Sequence, residues 1–181
     1  MTFKTKLLSA AMIAGLSATS MNALAAPSAE VTLQGILTDT TCDVTINGGK
    51  SVLNVGVFNT KVGGADAGFT AANAITTQQA DMPVTLTGCA KGEAGDLIIQ
   101  GITSVGNNEQ SVFVARDTQT VGFMIQDSSG KTVTNGKGAA VALDAEETSA
   151  QYTFKVGMAT TNATPAAGSY SAPILVAYIV D

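Results

Sequence analysis

Histidine and tryptophan are absent, and Arg116 is the single arginine in 181 residues. Without imidazole there is no Ser–His–Asp or Cys–His catalysis and no histidine-bearing metal site. Charge is scarce and leans acidic: nine basic residues face fourteen acidic ones for a net charge of −5, so the basic footprint of a nucleic-acid binder is missing. Two cysteines are too few for a structural zinc cage. No glycine-rich phosphate loop leads into a helical stretch, and the pair Ser128-Ser129 has no base partner. What is there is apolar. With 45% hydrophobic and only 13% charged residues, the chain can bury a core, and its length suits one domain.

The first 25 residues read as a leader rather than as part of the fold. Lys4 and Lys6 give a positive start, 7–16 form a short apolar run, and Ala23-Leu24-Ala25 supplies small residues at signal-peptidase spacing. The run is about half of the roughly 20 residues a membrane-spanning helix needs. Cleavage after Ala25 would remove both lysines and take the net charge from −5 to −7. The expected product is exported, without membrane insertion. Export decides the reading of Cys42 and Cys89, because an oxidising compartment favours a disulfide over two thiols. Closing a loop of that size is worth on the order of 4 kcal/mol in the loop-entropy account.

Beyond the leader the pattern is β. Val31-Thr32-Leu33-Gln34-Gly35 alternates apolar and polar residues, and Cys42-Asp43-Val44-Thr45-Ile46 does so again before the turn Asn47-Gly48-Gly49. Further strands are predicted over 51–58, 82–86, 96–102, 111–115, 120–126, 139–143, 151–158 and 170–180. Many short strands separated by turn clusters argue for a sandwich. The stretch 61–81 is ambiguous between a loop and a short helix near 71–79. The last strand, from Ala172 to Val180, is apolar on both faces, which suits a strand covered on both sides, although it ends the chain. The first strand, with Val31, Leu33, Gly35 and Leu37 on one face, reads equally well as part of its own sheet or as an arm that adds a strand to another molecule.

Four motifs taken in order break this tie. Val31 to Leu37 before Cys42, Met82-Pro83-Val84-Thr85-Leu86-Thr87-Gly88-Cys89, Val121-Gly122-Phe123-Met124-Ile125-Gln126-Asp127 with Gly130, and Gly168-Ser169-Tyr170-Ser171-Ala172 follow one another along the chain. Together, with one cysteine pair and a leader, they resemble the chaperone–usher pilins, the subunits of type 1-like fimbriae. Gly168 stands fourteenth from the C-terminus, where these pilins usually keep a glycine. One departure is that Val180, not an aromatic, is penultimate, with Tyr178 two residues earlier.

The resemblance implies an all-β, incomplete immunoglobulin-like sandwich of six main strands, the seventh supplied in trans. Residues 26–40 would be an N-terminal donor-strand extension and 41–181 the pilin domain. Val31, Leu33, Gly35 and Leu37 would be the donor residues. Gly168, Ile174, Val176, Tyr178, Val180 and Asp181 would form the groove edge and the tail gripped by a periplasmic chaperone. The implied partners are identical or related subunits, that chaperone, an outer-membrane usher, and a host glycan or protein receptor. The implied role is the shaft subunit of a surface fimbria, with no cofactor, no metal and no catalysis.

Three other classes compete. Asp144-Ala145-Glu146-Glu147 offers paired carboxylates of the kind glycosidases use, but reads as a solvated turn. A receptor-binding role is the second, either as a minor or adaptor subunit or by lateral contact of a major subunit through the polar loop 106–110, though no aromatic flanks it. A secreted, self-complete sandwich would place 31–37 within its own sheet.

Overall fold

The computed structural model describes residues 35–37, 42–65 and 67–180. Seven strands occur among them: β1 (Asp43–Ile46), β2 (Ala80–Thr87), β3 (Ala94–Gly101), β4 (Val121–Gln126), β5 (Lys137–Ala142), β6 (Ser149–Thr160) and β7 (Ile174–Val180). They make two sheets, β1-β2-β6-β4 and β5-β3-β7, with every ladder antiparallel. The only helical element among the described residues is a 3-10 turn at Asn47–Gly49. It is the predicted turn, and Asn47, Gly48 and Gly49 all take positive φ there.

Alternation along the strands makes the core. Met82, Val84 and Leu86 of β2, Leu97 and Ile99 of β3, and Phe154 and Val156 of β6 point inward, and their odd-numbered or even-numbered neighbours point out. Val176 and Tyr178 of β7 join them from the second sheet. Pro83 is tolerated inside β2 because β1 stops at Ile46, opposite Val84, so the missing N–H lies beyond the end of that ladder. Within the four-stranded sheet, the Cys42–Cys89 disulfide, with sulfurs 2.04 Å apart, joins the chain before β1 to the chain after β2.

Two predicted strands are not strands. Residues 111–115 form isolated bridges instead, Thr103 to Phe113 and Phe113 to Phe123, and so fasten the chain after β3 to β4. Val112, Phe113 and Val114 are fully buried in doing so. Burial on both sides accounts for the continuous apolar run, which in sequence looks the same as a sheet-interior strand. Residues 51–58 keep the period of a strand but have no ladder partner. Leu53 and Val55 turn inward while Val52 turns out, 73% exposed, until Gly56 (φ +126) breaks the alternation and leaves Val57 95% exposed. The stretch is an unpaired strap. The described residues of the ambiguous region 61–81 are loop up to the start of β2, with one parallel bridge between Val62 and Phe69.

Between β4 and β5 the chain crosses from one sheet to the other, which gives seven segments where six main strands were expected. After the Asp127–Gly130 turn it runs back beside β4, with the Val133 N–H on Ile125 O. It then joins β3, where the Gly136 N–H reaches Ile99 O at 2.8 Å. That crossing closes one flank of the sandwich. On the other flank β7 pairs with β3 alone, and no described strand lies along its second edge.

Candidate functional site

Below β1 the open flank becomes a cleft. Its walls are the strap at 52–60 on one side and the segment 166–174 leading into β7 on the other. The floor is made of side chains that belong to the core: Met82, Phe113, Phe123, Ile125 and Val156 in one lobe, with Phe69, Val121 and Met158 reaching the other. The lobes hold about 760 Å³ and about 550 Å³ and meet at Val52, Leu53, Val55, Phe123 and Tyr170. Tyr170 is held at this junction by a hydrogen bond from its hydroxyl to Ala166 O, 2.7 Å.

The strap owes its position to local polar contacts rather than to a sheet. The Asn47 amide donates to Lys50 O and Val52 O, and Asn54 Oδ1 accepts from the Gly56 N–H. Asn59 Oδ1 accepts from the Lys61 and Gly68 N–H groups. Side-chain oxygens and amides thus stand in for ladder partners along a wall that has none. Until β7 begins at Ile174 neither wall belongs to a described strand, and the floor between them is apolar.

The predicted site residues fall in different places. Ile174 lines the larger lobe and Gly168 the smaller. Val176 and Tyr178 point from β7 into the core, at 5% and 1% exposure, and Val180 packs partly buried against it. Val31, Leu33 and Asp181 lie outside the described residues. Gly35 and Leu37 are in no strand, line neither lobe, and Leu37 is 95% exposed. Sequence reasoning missed Val55, Phe113, Phe123, Met158 and Tyr170 as cleft residues. Of these only Tyr170 carried a signal, as the aromatic following Gly168 at the entry to the final strand.

Two titrations are displaced. A hydrogen bond from the Ser129 hydroxyl, with N–H groups of Lys131 and Ser129 and the Lys131 charge, holds the Asp127 carboxyl below its usual value against the opposing effect of desolvation. Burial pushes the Tyr178 hydroxyl up, helped by the Glu93 and Asp96 carboxylates. Both are structural: Asp127 organises a turn, and Tyr178 donates to Val141 O. Among the described residues the one cluster of metal-ligating types is Cys42, Cys89 and Glu93. Its two sulfurs are bonded to each other, which leaves one carboxylate and no cage. Asp144 accepts from the Glu147 N–H in an exposed turn, and Glu146 pairs with Lys91.

The class this architecture defines is the incomplete immunoglobulin-like sandwich, two sheets with no described strand on the last strand's outer edge. Solved structures with this fold include a subunit of a chaperone–usher pilus studied for rod uncoiling (TM-score 0.55, 15% identity, 85% of this chain and 96% of that one). The P pilus rod subunit PapA is also similar (TM-score 0.54, 15% identity, 76% of this chain and 99% of that one). At that identity the likeness is one of fold. No protein-family model matches the sequence, and no curated protein does.

Proposed function

We propose that this chain is a structural subunit of a bacterial surface fimbria, exported through the periplasm and polymerised by donor-strand exchange. The observation that carries the reading is the cleft: walls that lie outside the described strands until β7 begins at Ile174, and core side chains for a floor. In the fibre, residues 31–37 of the next copy fill it, Val31, Leu33 and Leu37 burying their side chains and Gly35 allowing the inserted backbone to approach closely. Before assembly a periplasmic chaperone occupies the same place and grips the tail ending at Asp181, then passes the subunit to an outer-membrane usher. An arm on one copy entering a cleft on the next is a heterologous contact, and such contacts propagate into filaments. A shaft role fits a single domain bearing such an arm.

The magnitudes suit a domain that depends on insertion. Three or four aliphatic side chains remove ~300 Å² of apolar surface, worth roughly 7 kcal/mol at 25 cal/mol per Å², as an upper bound. Ladder hydrogen bonds add about 1 kcal/mol each. A whole domain is stable by only ~5–15 kcal/mol. The exposure of Leu37 and the absence of Gly35–Leu37 from the cleft lining favour trans insertion over a self-complete sandwich.

The test is periplasmic expression with and without the cognate chaperone, followed by electron microscopy. Leu33→Asp and Gly35→Arg are expected to yield chaperone-bound monomer and no fibres. Normal fibres from either variant would remove residues 31–37 from the role of arm.

A further inference from the structure

Two asparagines precede glycine, Asn47 and Asn135. A glycine leaves its backbone nitrogen unshielded by any Cβ, so both are chemically equal candidates for attack on the asparagine amide. Their surroundings are not equal. At Asn135 both reacting groups are engaged, since Oδ1 accepts from the Gly101 N–H at 3.0 Å and the Gly136 N–H bonds Ile99 O at 2.8 Å. Asn47 stands on a turn with Gly48 and Gly49 exposed beside it, all three with positive φ. Its amide nitrogen donates to Lys50 O at 3.1 Å and Val52 O at 2.9 Å, at the entry to the strap. Because both partners are carbonyl oxygens, the amide can be oriented only one way.

We propose that Asn47 is a site of spontaneous deamidation, that its conversion unlatches the strap, and that the rate of conversion follows strap opening. When the strap lifts, the Gly48 nitrogen attacks Asn47 Cγ and a C–N bond forms. The Cγ–Nδ2 bond breaks, and ammonia leaves carrying the proton lost from the Gly48 nitrogen. Water then opens the cyclic imide at either carbonyl, giving aspartate or isoaspartate. The product carboxylate only accepts hydrogen bonds, so it faces Lys50 O and Val52 O with no donor, and the latch becomes a repulsion. Val52 lines both lobes of the cleft, so the loosened wall is the one an inserted strand would lean on. A strand seated in the cleft pins the strap and slows the reaction; this last clause alone rests on the proposed function.

The experiment is peptide mapping of the purified full chain during incubation at mildly alkaline pH, with Asn135 as internal control. It is run alone and with a synthetic peptide of residues 27–38, whose binding is measured separately. Asn47 is expected to convert roughly tenfold faster than Asn135 or more, since Asn135 must break several backbone hydrogen bonds before it reacts. Equal rates, or faster conversion at Asn135, overturn the proposal. Asn47→Asp is expected to speed hydrogen exchange over 50–58 while leaving β3 unchanged, and unchanged exchange in the strap refutes the latch. Bound peptide that leaves the Asn47 rate unaltered refutes the coupling to the cleft. Failure of the peptide to bind at all counts against the proposed function instead, and the contrast between Asn47 and Asn135 still decides the modification.

Discussion

Tyr178 shows how one side chain ties elements together. It is the largest fully buried side chain, and its hydroxyl crosses from β7 to Val141 O of β5 at 3.2 Å. Replacing it with phenylalanine keeps the packing and strands a buried carbonyl, so Tyr178→Phe is expected to cost about 1 kcal/mol in urea unfolding at neutral pH. The raised pKa sets the sign of the alkaline behaviour. The protonated hydroxyl is favoured in the fold, so its contribution is complete below the unfolded value of 10.0 and is lost as pH rises through the higher folded value. From 10.0 up to the folded value, wild type should therefore lose stability more steeply than Tyr178→Phe, and parallel curves would refute the assignment. Asp127 works in the opposite direction. Its lowered pKa means a contribution present above the unfolded 3.8 and lost as pH falls through the folded value. The stability gap between wild type and Asp127→Ala should close on acidification, which a pair of pH-dependent melts checks. At the disulfide, replacing both Cys42 and Cys89 with serine is expected to cost on the order of 4 kcal/mol and lower periplasmic yield. Unchanged melting would make the bridge dispensable.

Elements differ in what they tolerate. Phe154 of β6 is fully buried with its ring 4.8 Å from that of Tyr152, so Phe154→Ala should cost about 3–5 kcal/mol. Val57 on the strap is 95% exposed, and Val57→Ser should stay within roughly 0.5 kcal/mol in the isolated subunit. Equal losses by denaturant titration would mean the strap is part of the packed fold. The same contrast explains what could be read from the residues. Alternation located β2, β3, β5 and β6 because each has one face on the core, and the period of a half-buried strand is visible without coordinates. The strap at 51–58 alternates for the same reason, yet alternation reports which side is buried and says nothing about whether a ladder partner exists. From Val112 to Ala115 the pattern is apolar throughout, and pattern alone does not separate a bridging segment from a strand. The cleft was less legible than the fold. Ile174 and Gly168 were found from the tail, but Phe113, Phe123 and Met158 come together only once three distant segments pack, and no local spacing announces that. The last strand, apolar on both faces, reads as one covered on both sides, yet among the described strands β7 pairs with β3 alone and Leu175 remains 50% exposed.

At the scale of the molecule, the described residues form a sandwich closed on one flank by the crossing from β4 to β5 and open on the other between the strap and β7. An open flank floored by core side chains is a liability in a free monomer, because it invites pairing with any extended chain. It is a means of assembly if the occupant is prescribed, and the arm at residues 31–37 is the proposed occupant. The direct measurement is a crosslink between two tagged copies in assembled material, one carrying Leu33→Cys and the other Tyr170→Cys. The account predicts a bond joining the two copies, formed only when both variants are present. A bond that forms only when both substitutions sit in the same chain would contradict it.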